Sequence, residues 1–286
     1  MKFVRFGNLG EEKPGLIDGG NHLRDLSSYL PDFTPLTLGN RALIETLKTL
    51  NPSELPLVEK ATRIGACVGA PGKILCVGYN SKLHAQEMGR SLIGGEDMVV
   101  FMKPSSALCG PNDPILYTRY MKKLDWEAEL GLVIGKKGKY ISKSDAGDHI
   151  LGYTCVNDLS ERYLQLETED TQYTKGKGFD NAAPIGPYLV TKDEVPNACD
   201  LTIELSVNGI LRQHFNTTDY IHNDEEVVSY LSRYFTLYPG DIISMGSAPG
   251  SAKFWGENLY LKPDDKVLFS ITGLGQQEKI VMMEKE

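Results

Sequence analysis

The chain has 286 residues, 41% hydrophobic and 24% charged, an ordinary balance for a soluble globular protein and enough length to bury a core without disulfides. A formal charge of −8 and a pI of about 5.3, with no Lys/Arg-dense run, argue against nucleic-acid or anionic-membrane partners. No apolar run approaches the roughly 20 residues needed to cross a bilayer.

In chain order, residues 1–70 read as a small N-terminal α/β unit. Met1–Phe6 and Gly15–Ile17 are short strands, and Arg41–Leu50 carries Leu43, Leu47 and Leu50 at helical spacing. Possible joints fall at Pro52–Pro56 and Gly69–Gly72, and the boundary is drawn at the second, giving units 1–70 and 71–286. Strands dominate from there: Lys73–Tyr79, Met98–Met102, Trp126–Ile134 and Ile150–Val156. Leu201–Val207 and Ile210–His214 flank Asn208-Gly209, a strong hairpin signal. The convincing helix begins near Asp224, read as its cap, with Val227, Val228, Leu231 and Phe235 on one face. Asp241–Met245 and Lys266–Ile271 complete the strands. Strands outnumber helices without alternating with them, so the fold class expected is α+β, mostly β.

The five cysteines, Cys67, Cys76, Cys109, Cys155 and Cys199, form no paired spacing, which speaks against a disulfide framework or zinc site. Met1-Lys2-Phe3-Val4-Arg5 leads into no long apolar segment, so no signal peptide is expected and the expected setting is cytoplasmic.

Chemistry concentrates in Asp125-Trp126-Glu127-Ala128-Glu129-Leu130. In a strand, Glu127 and Glu129 share a face, where like charges repel unless a divalent cation lies between them. Asp158 ends the apolar run Ile150–Val156 and can reach the same point. Three oxygen ligands suit Mg²⁺, Mn²⁺ or Ca²⁺ better than zinc and leave positions for water and substrate. Seen alone, an E-x-E pair is more often a solvated strand face.

Several ordered segments shift that balance. Gly78-Tyr79-Asn80 with His84 and Glu87, Phe101-Met102-Lys103-Pro104-Ser105, the Glu127/Glu129 segment and Asn157-Asp158-Leu159-Ser160-Glu161-Arg162 with Gln165 come first. Lys175-Gly176-Lys177-Gly178-Phe179-Asp180, Pro184-Ile185-Gly186-Pro187, Val207-Asn208-Gly209 and Tyr238-Pro239-Gly240-Asp241 follow, ending in Gly273-Leu274-Gly275. Together they resemble the fumarylacetoacetate hydrolase family over roughly residues 70–280.

The resemblance implies a partly rolled mixed β-sheet with a small N-terminal domain, a homodimer, and Mg²⁺ or Mn²⁺ held by Glu127, Glu129 and Asp158. It implies a small 2-oxo acid as substrate, and wording closest to members described as diketo-deoxy-sugar-acid hydrolases. His84, oriented by Glu87, becomes the base that activates water, and Lys177 stabilises the enolate released by carbon–carbon cleavage. Arg162, Gln165 and Ser247 become substrate contacts, Arg162 as a two-pronged clamp on a carboxylate. Gly89, Gly94 and Gly95 suggest a lid beside His84. The alternatives are decarboxylation or tautomerisation of an oxaloacetate-like acid, or a member that binds small acids without turnover. Two features depart from the family pattern: Ser81 stands where Tyr is common, and Gly246-Ser247-Ala248-Pro249-Gly250 replaces a Gly-Thr-Pro-type turn.

Overall fold

The computed structural model describes residues 1–59, 62–87, 89, 97–256 and 259–285. The first three strands, β1 (Lys2–Phe6), β2 (Lys13–Ile17) and β3 (Leu23–Asp25), form an antiparallel meander. β4 (Ile74–Gly78) and β5 (Val99–Lys103) follow, then the short β6 (Leu108–Cys109), β7 (Ile115–Tyr117) and β8 (Leu124–Asp125). The long pair β9 (Ala128–Ile134) and β10 (Ile150–Asn157) leads to β11 (Ser160–Glu161), β12 (Ala183–Pro184) and β13 (Leu189–Thr191). β14 (Thr202–Val207), β15 (Ile210–Asn216), β16 (Ile242–Ser244), β17 (Lys266–Ile271) and β18 (Gly275–Met283) complete the set.

Nine strands make one mixed, open sheet in the order β3-β2-β1-β13-β10-β9-β16-β4-β5. A second sheet runs β15-β14-β17-β18-β7, and two-stranded ladders join β11 to β8 and β12 to β6. The fold is therefore α+β and mostly β, with no closed barrel. Among the described residues no helix is long and apolar enough to cross a membrane.

Burial follows from position. Every residue of β9 is buried, because the strand lies mid-sheet with both faces covered, and this is why its sequence alternates poorly. β14 and β17 alternate buried and less buried residues, with Ile203, Leu205, Val207, Val267, Phe269 and Ile271 facing the core. Asn208 and Gly209 both adopt positive φ, 52° and 77°, as a two-residue hairpin turn requires.

One sequence expectation, the helix cap, needs revision. The helix Asp224–Tyr234 is capped by Asn223, not Asp224: the Asn223 side chain accepts from Glu226 N–H at 2.9 Å, while Glu226 accepts from the Asn223 N–H. Asp224 is the first helical residue, and its carboxylate accepts from the Tyr153 hydroxyl at 2.7 Å. The first seventy residues, expected as a unit apart, add β1–β3 to the large sheet through the β1–β13 ladder, so hydrogen bonding is continuous across residue 70.

Candidate metal centre

The centre lies where β9 and β10 meet. Ala128 pairs with Asn157 and Glu129 with Val156, so Glu127 and Asp158 are opposed just beyond the ladder's end. Asp158 N–H donates to the Glu127 carbonyl at 2.8 Å, and Glu127 N–H to Asn157 Oδ1 at 3.1 Å. Glu129, two residues on, points its carboxylate to the same side. One oxygen from each of Glu127, Glu129 and Asp158 lies within 4.8 Å of the others, and all three residues are buried.

Cations brace two of the three. Arg162 Nη2 donates to Glu127 Oε1 at 2.6 Å, and Lys177 Nζ lies 2.7 Å from Asp158 Oδ2 and 2.5 Å from Glu127 Oε2. Burial opposes a charge on Glu127, but Arg162 and Lys177 outweigh it and hold that carboxyl below the usual range. Burial likewise opposes the Lys177 charge, yet Asp158 and Glu127 prevail and keep its ammonium protonated. Glu129 differs. Its Oε2 accepts only neutral donors, the Ser244 hydroxyl at 2.5 Å and Gly246 N–H at 2.9 Å. Burial, with Asp158 and Glu127 close by, pushes its carboxyl well above the ordinary value. The Gly246 contact depends on φ of +97°, and a Cβ there would meet Val77 O at 2.8 Å.

A divalent cation fits this donor set. Asp158 Oδ1 is buried without a hydrogen bond. Lys103 Nζ approaches it to 2.6 Å but spends its donors on the carbonyls of Leu159, Lys177 and Ala182, at 3.0, 2.5 and 3.0 Å. An oxygen with spare lone pairs and a carboxylate without a cationic partner are what a hard cation satisfies.

The pocket above the cluster is lined by His84, Phe101, Arg162, Gln165, Tyr173, Lys177, Ser247 and Phe254, among others. His84 lies on the helix Lys82–Glu87, with Nδ1 at 2.9 Å from Glu87 Oε2. Tyr79 stacks on its ring at 6.0 Å and Phe254 meets it edge-on at 5.4 Å. Tyr79 holds φ at 58°, an uncommon conformation for a bulky residue, which marks a locally constrained site. Ser81 caps this helix: its hydroxyl accepts from His84 N–H at 3.0 Å and bonds to Asp219. The expected lid falls largely on residues 90–96, outside the described residues.

The expected substrate contacts line the same pocket but are engaged with protein. Arg162 divides its fork among Asp125 at 2.8 Å, Glu127 at 2.6 Å and Gln165 at 3.0 Å. It braces Glu127, so gripping a substrate carboxylate with both prongs would require giving up protein bonds. Ser247 accepts from Gln213 Nε2 at 2.9 Å. Sequence reasoning missed Lys103, Asp125, Asn157, Gln213 and Ser244. Lys103, Asp125 and Asn157 lay inside quoted motifs but carried no partner signal, and Gln213 and Ser244 are single polar residues in ordinary strands.

The family described as "Fumarylacetoacetate (FAA) hydrolase C-terminal" matches residues 73–282. A relative from Burkholderia multivorans, described only as a hydrolase, is 43% identical over 278 residues, 97% of each chain. The solved fumarylacetoacetate hydrolase of the psychrophile Exiguobacterium antarcticum is 30% identical, with a TM-score of 0.86 over 99% of this chain and 100% of that one. A maleylpyruvate hydrolase from Sphingobium sp. SYK-6, solved with manganese(II) and pyruvate, shares the fold at 24% identity and a TM-score of 0.83, each chain fully covered.

Proposed function

The chain belongs to the fumarylacetoacetate hydrolase family, and we propose that it hydrolyses a carbon–carbon bond in a 2,4-dioxo acid, using Mg²⁺ or Mn²⁺ held by Glu127, Glu129 and Asp158. The observation that carries the reading is a buried three-carboxylate cluster sharing one pocket with His84. The pyruvate and manganese(II) bound by the Sphingobium enzyme support the same choice of ligand and ion. The expected homodimer belongs to this proposal as well.

Bound there, the cation would supply Lewis acidity toward the carboxylate and 2-oxo oxygens of the substrate. The chain's own residues do the rest. Glu87 accepts the Nδ1 proton of His84, which leaves Nε2 free to take a proton from water. Tyr79 and Phe254 fix the ring so that this lone pair keeps one direction. The water oxygen bonds to C4, the C3–C4 bond breaks, and its electron pair delocalises onto C3 and the C2 oxygen as an enolate. Lys177, held protonated by Glu127 and Asp158, stabilises that charge. C3 then takes back a proton from the His84 imidazolium, giving a pyruvate-like acid and a second carboxylic acid.

Decarboxylation or tautomerisation of an oxaloacetate-like acid would use the same Lys177 stabilisation without an attacking water. One experiment separates them. Mn²⁺-loaded protein is assayed on acylpyruvates, diketo-deoxy sugar acids and oxaloacetate, alongside His84→Asn. Cleavage of a 2,4-dioxo acid is expected, reduced about 10²–10⁴-fold in the variant, with any decarboxylation better preserved. No cleavage of any dioxo acid by the loaded protein would sink the reading.

A further inference from the structure

Ser81, which stands where the family commonly has Tyr, starts the helix that carries His84. That helix, Lys82–Glu87, has six residues, too few to hold together in water unaided. Its first N–H groups need acceptors from outside the helix. Ser81 Oγ accepts from His84 N–H at 3.0 Å, and the Ser81 carbonyl accepts from Ala85 N–H at 3.0 Å. A tyrosine hydroxyl, carried beyond a ring, could not turn back to the same N–H. Glu87 orients the His84 ring from within the helix. It moves with that helix, so it cannot fix the helix to the rest of the fold.

Asp219, 138 residues further along the chain, supplies the outside tie. Its carboxylate accepts from the Ser81 hydroxyl, and from Leu83 N–H at 3.3 Å. Ser81 is fully buried and Asp219 half-buried, so this charge-assisted bond is shielded from water. A hydroxyl has one proton. Spending it on Asp219 turns the Ser81 lone pairs toward His84 N–H. Asp219 itself sits on a well-tied turn: Asn216 Oδ1 accepts from Thr218 N–H at 2.9 Å, and the Tyr220 hydroxyl accepts from Leu130 N–H at 3.4 Å. Leu130 follows Glu129 in β9. Asn80 closes the other side, its carbonyl accepting from Ile221 N–H and its side chain from His222 N–H, both at 2.8 Å. Residues 217–222 therefore join the strand of Glu129 to the start of the helix that carries His84.

Resting on the function proposed above, we propose that Asp219 is a positioning residue for His84. Acting through the Ser81 hydroxyl, it holds the helix Lys82–Glu87 in the orientation that turns the imidazole into the pocket over the carboxylates. Asp219 lies outside the pocket lining, so its effect passes through the helix alone. Without its carboxylate the Ser81 hydroxyl is free to rotate and Leu83 N–H loses its acceptor. The helix start then loosens, while Glu127, Glu129 and Asp158 keep their own bonds.

The test reads the His84 ring directly, so it does not depend on turnover. Nuclear magnetic resonance is recorded on Mg²⁺-loaded, ¹⁵N-histidine-labelled protein, with the His84 signals identified by their loss in His84→Asn. The wild-type chain should show one tautomer, its proton on the Nδ1 that faces Glu87. Asp219→Ala should move both ring nitrogens toward the averaged values of a mobile imidazole. Asp219→Asn, whose amide oxygen still accepts both bonds, should restore them. Ser81→Ala should match Asp219→Ala, and it replaces that variant if the latter folds poorly. Where a 2,4-dioxo acid is cleaved, kcat should fall about 10–100-fold in Asp219→Ala with KM nearly unchanged, and Mn²⁺ binding should be unaffected. Wild-type ring signals in Asp219→Ala and Ser81→Ala, no restoration by Asp219→Asn, or a raised KM with kcat intact would overturn the proposal. Ring signals that respond as described in a protein that cleaves no dioxo acid would instead remove the proposed reaction and leave Asp219 as the residue that holds His84.

Discussion

Among the described residues Glu129 has no cation of its own, whereas Glu127 and Asp158 are each met by Lys177 and a second basic residue. That asymmetry suits the cluster to a cation, because three buried carboxylates share a protein countercharge that reaches two of them among the described residues. A second buried charge lies away from this site. Lys279 is buried on β18, and its ammonium bonds to Gln277. Burial pushes its pKa down to about 7, against the opposing pull of Cys109, Cys155 and Asp113. The folded state thus binds fewer protons than the unfolded state between about 7 and the ordinary lysine value of 10.5. Stability gains from this group accordingly rise with pH across that window and are absent below it. Lys279→Met should therefore melt higher than wild type near pH 6, with the difference narrowing as pH climbs from about 7 toward 10. A difference in Tm that stays constant with pH would mean that Lys279 keeps its charge in the fold.

At the scale of elements, much was legible where local chemistry decides the outcome. The Asn208-Gly209 turn, the Lys266–Ile271 strand and the contact between His84 and Glu87 on one helical turn all follow from short-range pattern. The E-x-E spacing put Glu127 and Glu129 on one side, although Glu127 lies just before β9 and is fixed by Asn157 and the Asp158 backbone instead of by strand pairing. The helix cap slipped by one residue because Asn223 and Asp224 are both good caps, and only the reciprocal bond to Glu226 distinguishes them. Lys103 and Asp125 could not be read in the same way. Each works by joining segments that are distant in sequence, Lys103 to the carbonyls of Leu159, Lys177 and Ala182, and Asp125 to Arg162 and Ala252. Nothing local to either residue encodes those partners.

Across the whole molecule, the boundary proposed near residue 70 meets a sheet that does not stop there. β1 covers the side of β13 that β10 leaves open, Arg63 binds Asp113 at 2.6 and 2.8 Å, and Phe3, Leu16, Leu26 and Phe33 join the common core. A chain of residues 71–286 would expose one edge of β13 and that apolar surface. It should aggregate or melt without a cooperative transition in differential scanning calorimetry, whereas a sharp transition with retained Mn²⁺ binding would make residue 70 a true domain boundary. Net charge does not set the sign of the pocket: in an acidic chain of −8, a cation at the cluster together with Lys177 would make the pocket attractive to an anionic acid. The account therefore stands on that cation. Calorimetric titration of the full chain with Mn²⁺ at neutral pH should give one ion per chain, with affinity falling about 100-fold or more in Glu129→Gln and in Asp158→Asn. Undiminished binding in both variants, or no binding by the wild-type chain, would contradict it.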